Sequence, residues 1–216
     1  MISVKKFVFN AFQVNSYVLY DETGECIIID PSVSNEDEFS QLDDFIKSKQ
    51  LTPVLLVNTH AHIDHIIGNY KTAKHYKIKL AAHKECVGFL EHAREYAESF
   101  GLPMEGVKKI DYFVDEGQKI TFGNSCLMVF YTPGHADCSI CLYSKDDAFV
   151  ITGDVLFYQS IGRTDLRTGN YDLLQKSIWE KLFTLPDNTK VYAGHGPDTT
   201  IGYEKVNNPF VAIGME

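Results

Sequence analysis

The chain has 216 residues, 44% of them apolar and 23% charged, and a formal net charge of -9. That length suits one domain, 1–216, with a large core. The acidic balance argues against a general nucleic-acid or membrane-surface binder, which would present a basic face.

The opening stretch MISVKKFVFNAFQVNSYVLY carries two lysines, but Asn10, Gln13, Asn15 and Ser16 interrupt it and no small-residue cleavage site follows. It reads as two strands, SVKKFVFN and VNSYVLY, and not as a signal peptide. No run approaches the roughly 18 apolar residues of a membrane span. The expected location is the cytoplasm. DETGE then supplies turn residues, and CIIID is a short apolar strand. NEDEFSQLDDFIKSKQ places Phe39, Leu42, Phe45 and Ile46 at helical spacing, with acids in the first turn and lysines in the last. PVLLVN is a buried strand running directly into THAHIDH, and a helix is expected from near Asp64 through IIGNYKTAKHY. LAAH is a short strand, and KECVGFLEHAREYAESF a helix stopped by Gly101 and Pro103.

The middle of the chain turns to β: KIDYFV, QKITFG, SCLMVFYT, CSICLYS and AFVITG follow one another. A loop rich in Gly, Thr and Asp covers 159–170, then YDLLQKSIWEKLFTL is a helix. KVYAG is the last strand and TTIGYEKVNN the final helix. The pair CIIID and PVLLVNTH echoes AFVITGD and KVYAGH, each an apolar strand that ends on ligand-capable residues. The echo suggests two β-rich halves whose strand ends meet at one site, with helices on the outer faces.

Five cysteines, at 26, 86, 126, 138 and 141, are an odd and scattered set that fits reduced thiols. Cys138 and Cys141 form a C-x-x-C, but CSICLY reads as a strand, where residues three apart face opposite ways, so core packing is expected.

Four metal-capable side chains crowd into THAHIDH: His60, His62, Asp64 and His65. Alternate residues of an extended segment face one way, so His60 and His62 can chelate one ion. Asp64 and His65 fall where the chain turns into a helix and so point elsewhere, which suits two neighbouring ions. Three more candidates follow apolar runs with glycine beside them: His135 in YTPGHAD, Asp154 in ITGD and His195 in YAGHG. His75, His83 and His92 lie in helices or beside a strand end and read as surface histidines.

T-H-x-H-x-D-H, T-P-G-H, T-G-D and G-H-G-P, in this order, resemble the metallo-β-lactamase superfamily. The resemblance covers nearly the whole chain. It implies an α/β fold, a four-layer αβ/βα sandwich in which two central mixed β-sheets are flanked by helices. It also implies a binuclear site in which His60, His62 and His135 hold one divalent ion, Asp64, His65 and His195 hold the other, and Asp154 bridges. Asp64 and Asp154 are the carboxylates to which catalysis is assigned. Zinc is the expected metal, with iron or manganese as alternatives. A hydroxide between two such ions is a nucleophile near neutral pH, and an ion can also polarise the carbonyl under attack.

Within the superfamily, GDVLFYQSIGRTD and GHGPDTTIGYEKVNNPF resemble the short glyoxalase II-like hydrolases, which split a hydroxyacyl thioester of glutathione. The expected partner is therefore a small-molecule thioester, with no nucleic acid and no membrane. Arg163 stands where longer members have a lysine that holds the glutathione carboxylate, and bidentate contact is within its reach; the alternative is a buried ion pair with Asp165 or another carboxylate that orders the loop. Tyr158 is a second substrate-contact candidate. Two departures are noted. The helical domain that grips glutathione in longer members is expected to be missing here, since the chain stops at VAIGME, and Cys138 replaces a glycine. Another small thiol or a broader acyl range stays open. So do a lactonase and a mononuclear-iron persulfide dioxygenase, which shares T-H-x-H-x-D-H and G-R-T-D but carries A-H-D-Y where this chain has GHGPDTT. A non-enzymatic metal-binding protein is the remaining alternative, and it is disfavoured by the retention of all seven ligand positions.

Overall fold

The computed structural model describes residues 1–212. It contains two compact units, one made of Met1–Val114 with Thr121–Cys126, the other of Asp115–Ile120 with everything from Leu127 onward. The chain forms two six-stranded mixed sheets, the first wholly and the other partly made of residues of the first unit, so the expected α/β class with two mixed sheets and helices is what the chain adopts.

In the first unit the sheet runs in sequence order through β1 (Ser3–Phe9), β2 (Val14–Tyr20), β3 (Glu25–Ile29), β4 (Thr52–Val57), β5 (Lys79–Ala82) and the two-residue β6 (Tyr112–Phe113). β1, β2 and β3 are antiparallel neighbours joined by short turns. From β3 to β6 the pairing is parallel, which requires crossovers, and helices supply most of them. The crossover α1 (Glu36–Ser48) starts where Asn35 caps the Glu38 N–H, carries three acids in its first turn and ends with Lys47. Phe39, Leu42 and Ile46 are buried on the expected face, in a core with Val18, Ile28, Leu56 and Leu80, and Phe45 packs against that core partly covered.

The helix expected from Asp64 to Tyr76 is two helices, α2 (Ile63–Ile66) and α3 (Asn69–Tyr76). The break falls at Gly68, where a Cβ would sit 2.1 Å from the Pro31 carbonyl oxygen, so the backbone passes too close for a continuous, side-chain-bearing helix. The next helix is also divided, into α4 (Cys86–Glu91) and α5 (Ala93–Ser99), because His92 leaves helical dihedrals.

The second sheet has the order β14, β13, β10, β9, β8, β7, from β7 (Lys119–Phe122), β8 (Ser125–Tyr131), β9 (Ile140–Ser144), β10 (Phe149–Gly153), β13 (Lys190–Ala193) and β14 (Thr199–Thr200). β10 and β13 pair in parallel, and all five residues of β10 are buried, as an unbroken apolar run requires. Part of the stretch expected as loop at 159–170 is the second arm of a hairpin, β11 (Leu156–Phe157) with β12 (Ser160–Ile161). α6 (Tyr171–Ser177) widens into a π-helical turn, Ile178–Leu182, and α7 (Ile201–Asn207) closes the described chain. Leu174, Ile178 and Leu182 pack with Val150, Val191 and Ile201 in this unit's own core. β9 begins only at Ile140, so Cys138 lies in a turn and not on the strand as expected; both it and Cys141 are nonetheless buried. No helix among the described residues is long and apolar enough to cross a membrane.

Candidate metal centre

Strand ends place the chemistry. β3 and β4 are parallel with Ile29 opposite Val57, and the Asp30 N–H donates to the Val57 carbonyl at 3.0 Å. Asp30 and the Asn58–His65 segment therefore leave the sheet together, at the carboxyl ends of parallel strands, where open α/β sheets bind ligands. In the second unit Gly153 of β10 is opposite Ala193 of β13, and the Gly194 N–H donates to the Gly153 carbonyl at 2.7 Å. That register brings Asp154 and His195 side by side.

Around the first group Asp30 organises everything. The residue sits at a left-handed φ of 46° and is 2% exposed. Its Oδ1 accepts the Thr59 N–H at 2.9 Å and the Asn58 amide at 3.2 Å, while its Oδ2 accepts the Thr59 hydroxyl at 2.6 Å and His65 Nδ1 at 3.0 Å. With both oxygens engaged by these donors, Asp30 orients the His65 ring directly and the His60 ring through Thr59, and its carboxylate lies with the ring nitrogens of both in one tight cluster. Sequence reading passed over Asp30 as the polar end of CIIID; the echo with ITGD marked the position without giving it a role.

These contacts settle three tautomers by the chemistry of donors and acceptors. A carboxylate can only accept, so His65 Nδ1 carries the proton. The Thr59 hydroxyl spends its hydrogen on Asp30, so at 3.1 Å it accepts from His60 Nδ1. A backbone carbonyl can only accept, so His135 Nδ1 donates to the Arg163 oxygen at 2.7 Å. Each imidazole is thereby left with its Nε2 lone pair to offer, the arrangement in which metal-ligating histidines are held by a partner on the other nitrogen. All three residues are at least 98% covered.

Separations between the outward atoms agree. His65 Nε2 is 3.7 Å from Asp64 Oδ2 in the first unit. In the second, Asp154 Oδ2 is 3.6 Å from His135 Nε2 and 3.5 Å from His195 Nε2. These exceed normal hydrogen-bond lengths. Two donors each about 2.1 Å from one ion at a tetrahedral angle stand about 3.4 Å apart, so the distances match the edges of coordination polyhedra. The donor set of imidazoles and carboxylates fits zinc, iron or manganese. His60 packs against both His62 and His65, at ring separations of 4.8 and 4.2 Å.

Gly162 explains why the His135 loop can close over its partner. A Cβ there would lie 1.9 Å from the Asp154 carbonyl oxygen and 3.0 Å from the His135 side chain, so only glycine fits. Its neighbour Arg163 is exposed and forms a bidentate pair with Asp165, both contacts at 2.7 Å, and that guanidinium holds the Asp165 carboxyl down at about 2. The pair considered from sequence forms, but at the surface and not buried. Tyr158 is also exposed, at the β11–β12 turn, stacked on Tyr203 with the hydroxyls 3.2 Å apart. Of the other three histidines, His75 faces Asp43 at 3.3 Å and His92 faces Glu95, whereas His83, expected at the surface, is 2% exposed at the end of β5 and accepts the Glu85 N–H.

A sequence profile described as the metallo-beta-lactamase superfamily matches residues 9–195. The chain belongs to that superfamily. It is 37% identical to the probable metallo-hydrolase YqgX of Bacillus subtilis over 92% of each chain. It is 34% identical to the hydroxyacylglutathione hydrolase GloC of Haemophilus influenzae, over 93% of this chain and 94% of that one. Among solved structures, BLEG-1 B3 metallo-beta-lactamase superposes with a TM-score of 0.88 at 38% identity, covering 98% and 99% of the two chains. TTHA1623 in a di-iron-bound form gives 0.84 at 30%, covering 96% and 100%. ETHE1 from Myxococcus xanthus gives 0.79 at 28%, covering 97% and 84%. The chain is thus a metallo-hydrolase-type protein whose fold binds divalent metal, with His and Asp clusters suited to it.

Proposed function

We propose that the protein is a binuclear metal-dependent hydrolase of thioesters, of which a hydroxyacylglutathione is the type substrate. In this reading His60, His62 and His135 would hold one ion and Asp64, His65 and His195 the other, with Asp154 serving both. The observation that carries the binuclear reading is Asp154 Oδ2 standing 3.6 and 3.5 Å from two imidazole Nε2 atoms, one assigned to each ion. Likeness to GloC along nearly the whole of both chains supports the thioester substrate, and the di-iron form of TTHA1623 supports two ions.

When bound, the metals supply an activated water and polarise the scissile carbonyl. The chain's own residues do the rest. Asp30, Thr59 and the Arg163 carbonyl keep His65, His60 and His135 in the Nδ1–H form, so no proton has to move before a ligand binds. Arg163 exchanges Asp165 for a carboxylate of the thiol carrier, and Tyr158 lines the same approach with its hydroxyl. Thiolate is a good leaving group, so no separate protein acid is required. Cytoplasmic location suits the five cysteines, all of them free thiols.

The test is metal analysis by mass spectrometry beside turnover of S-D-lactoylglutathione, with oxygen uptake on glutathione persulfide and nitrocefin hydrolysis as parallel arms. Two ions per chain and release of free thiol are expected. Asp154→Ala is expected to lose metal and activity together. One iron with oxygen consumption would reassign the protein to the dioxygenases. Nitrocefin hydrolysis with no thioester turnover would reassign it to the β-lactamases.

A further inference from the structure

Near the THAHIDH segment lie aromatic rings that the proposed ligand set does not use. The Phe89 ring stands edge-on to His62 at 5.5 Å and 74°. Phe12 and Phe100 pair edge-to-face at 5.7 Å and 85°, and remain 39% and 57% exposed. Phe12 sits on the β1–β2 turn and Phe100 directly follows α5, which packs against α2 of the metal loop.

The turn that carries Phe12 is pinned, and pinned to that loop. Asn10 and Gln13 both adopt left-handed backbone, φ 53° and 57°, which is costly for residues with a Cβ. The Asn10 amide donates to the Asp64 carbonyl at 2.9 Å and to the Ser32 carbonyl at 3.0 Å, its Oδ1 accepts the Phe12 N–H at 2.8 Å, and its own N–H donates to Glu38. A strained turn held by four hydrogen bonds presents an aromatic residue outward beside a ligand residue.

We propose that Phe12, Phe89 and Phe100 seat the acyl chain of the substrate, and that the preferred thioester carries a medium-length straight apolar acyl group. The inference deepens the hydrolase reading and rests on it. A thioester whose carbonyl reaches His62 and its neighbours has two arms. The thiol carrier is polar and finds its charged and hydroxyl partners in Arg163, Tyr158 and Tyr203. The acyl arm is apolar, and these rings offer it apolar surface beside the imidazole of His62. Because the rings are already ordered, the chain gains contact area without the protein paying to order them.

The experiment is a kcat/KM series on N-acetylcysteamine thioesters, from acetyl through butanoyl and hexanoyl to octanoyl, with metal-replete protein. Roughly a 2- to 4-fold rise per added methylene is expected up to hexanoyl, the range set by partial to full burial of each CH2. The double variant Phe12→Ser/Phe100→Ser, both at exposed positions that the fold tolerates, flattens that slope. Phe113→Ser, an equally exposed phenylalanine on β6, keeps it. A flat series with measurable turnover, or a slope that survives in the double variant, overturns the inference while leaving the hydrolase intact. Absence of turnover on every thioester removes the hydrolase reading and this one with it.

Discussion

A single carboxylate shows how a residue off the ligand set governs it. Asp30 takes four hydrogen bonds and through them dictates where the protons of His65 and, by way of Thr59, of His60 reside. Asp30→Asn keeps the shape but places an NH2 where donors already point. Zinc affinity, read by chelator competition, is expected to fall about 10- to 100-fold, the usual effect of losing such a partner. An unchanged affinity in a folded variant would show that the tautomers are set elsewhere. The seven proposed ligand positions stand out in the sequence because four metal-capable side chains crowd into THAHIDH and three more follow apolar, glycine-flanked runs. Asp30 does not, because an aspartate closing an apolar strand is also an ordinary turn residue.

Elements formed where periodicity and end signals agreed. α1 has an apolar stripe, an N-cap and complementary end charges, and its face is the expected one. Asn35→Ala is expected to lower stability by about 1 kcal/mol in urea titration, with the slope m unchanged. A loss near zero would mean that the returning contacts from the Glu38 carboxylate to the Ser34 and Asn10 N–H groups hold the helix start alone. Where end signals were lacking, boundaries went astray. α2 and α3 read as one helix because nothing local marks Gly68; its reason is the Pro31 carbonyl, distant in sequence. The strand read through Cys138 starts two residues later, since a C-x-x-C alternation is equally compatible with a turn.

At the scale of the molecule, acid should expose one non-local anchor. Asp21 is buried, which by itself raises a carboxyl pKa. The Thr23 and Ser125 hydroxyls and the Thr23 and Asn124 N–H groups outweigh that and bring it down to about 2. A depressed folded pKa means stabilisation that is complete above the ordinary value near 4 and is lost as pH falls toward 2. Asp21→Asn should therefore cost about 1 kcal/mol at pH 7, allowing for solvent screening, and almost nothing near pH 2. A gap that persists at pH 2 would show that shape, not charge, is what Asp21 contributes. The thiols buried at Cys26 and Cys141 are pushed up to about 12 and stay protonated across this range.

Sequence alone determined the α/β class and, through the resemblance of its motifs, the superfamily, because strand-forming apolar runs and clustered His and Asp are written locally. Only the folded chain decided which nitrogen each imidazole offers, and that Asp154 has His135 on one side and His195 on the other. Those facts depend on partners 28 to 35 residues away, Arg163 for His135 and Asp30 for His65, and on a parallel register between Gly153 and Ala193. Hydrogen bonds of that span are products of strand pairing, and no local pattern encodes which donor will meet which acceptor.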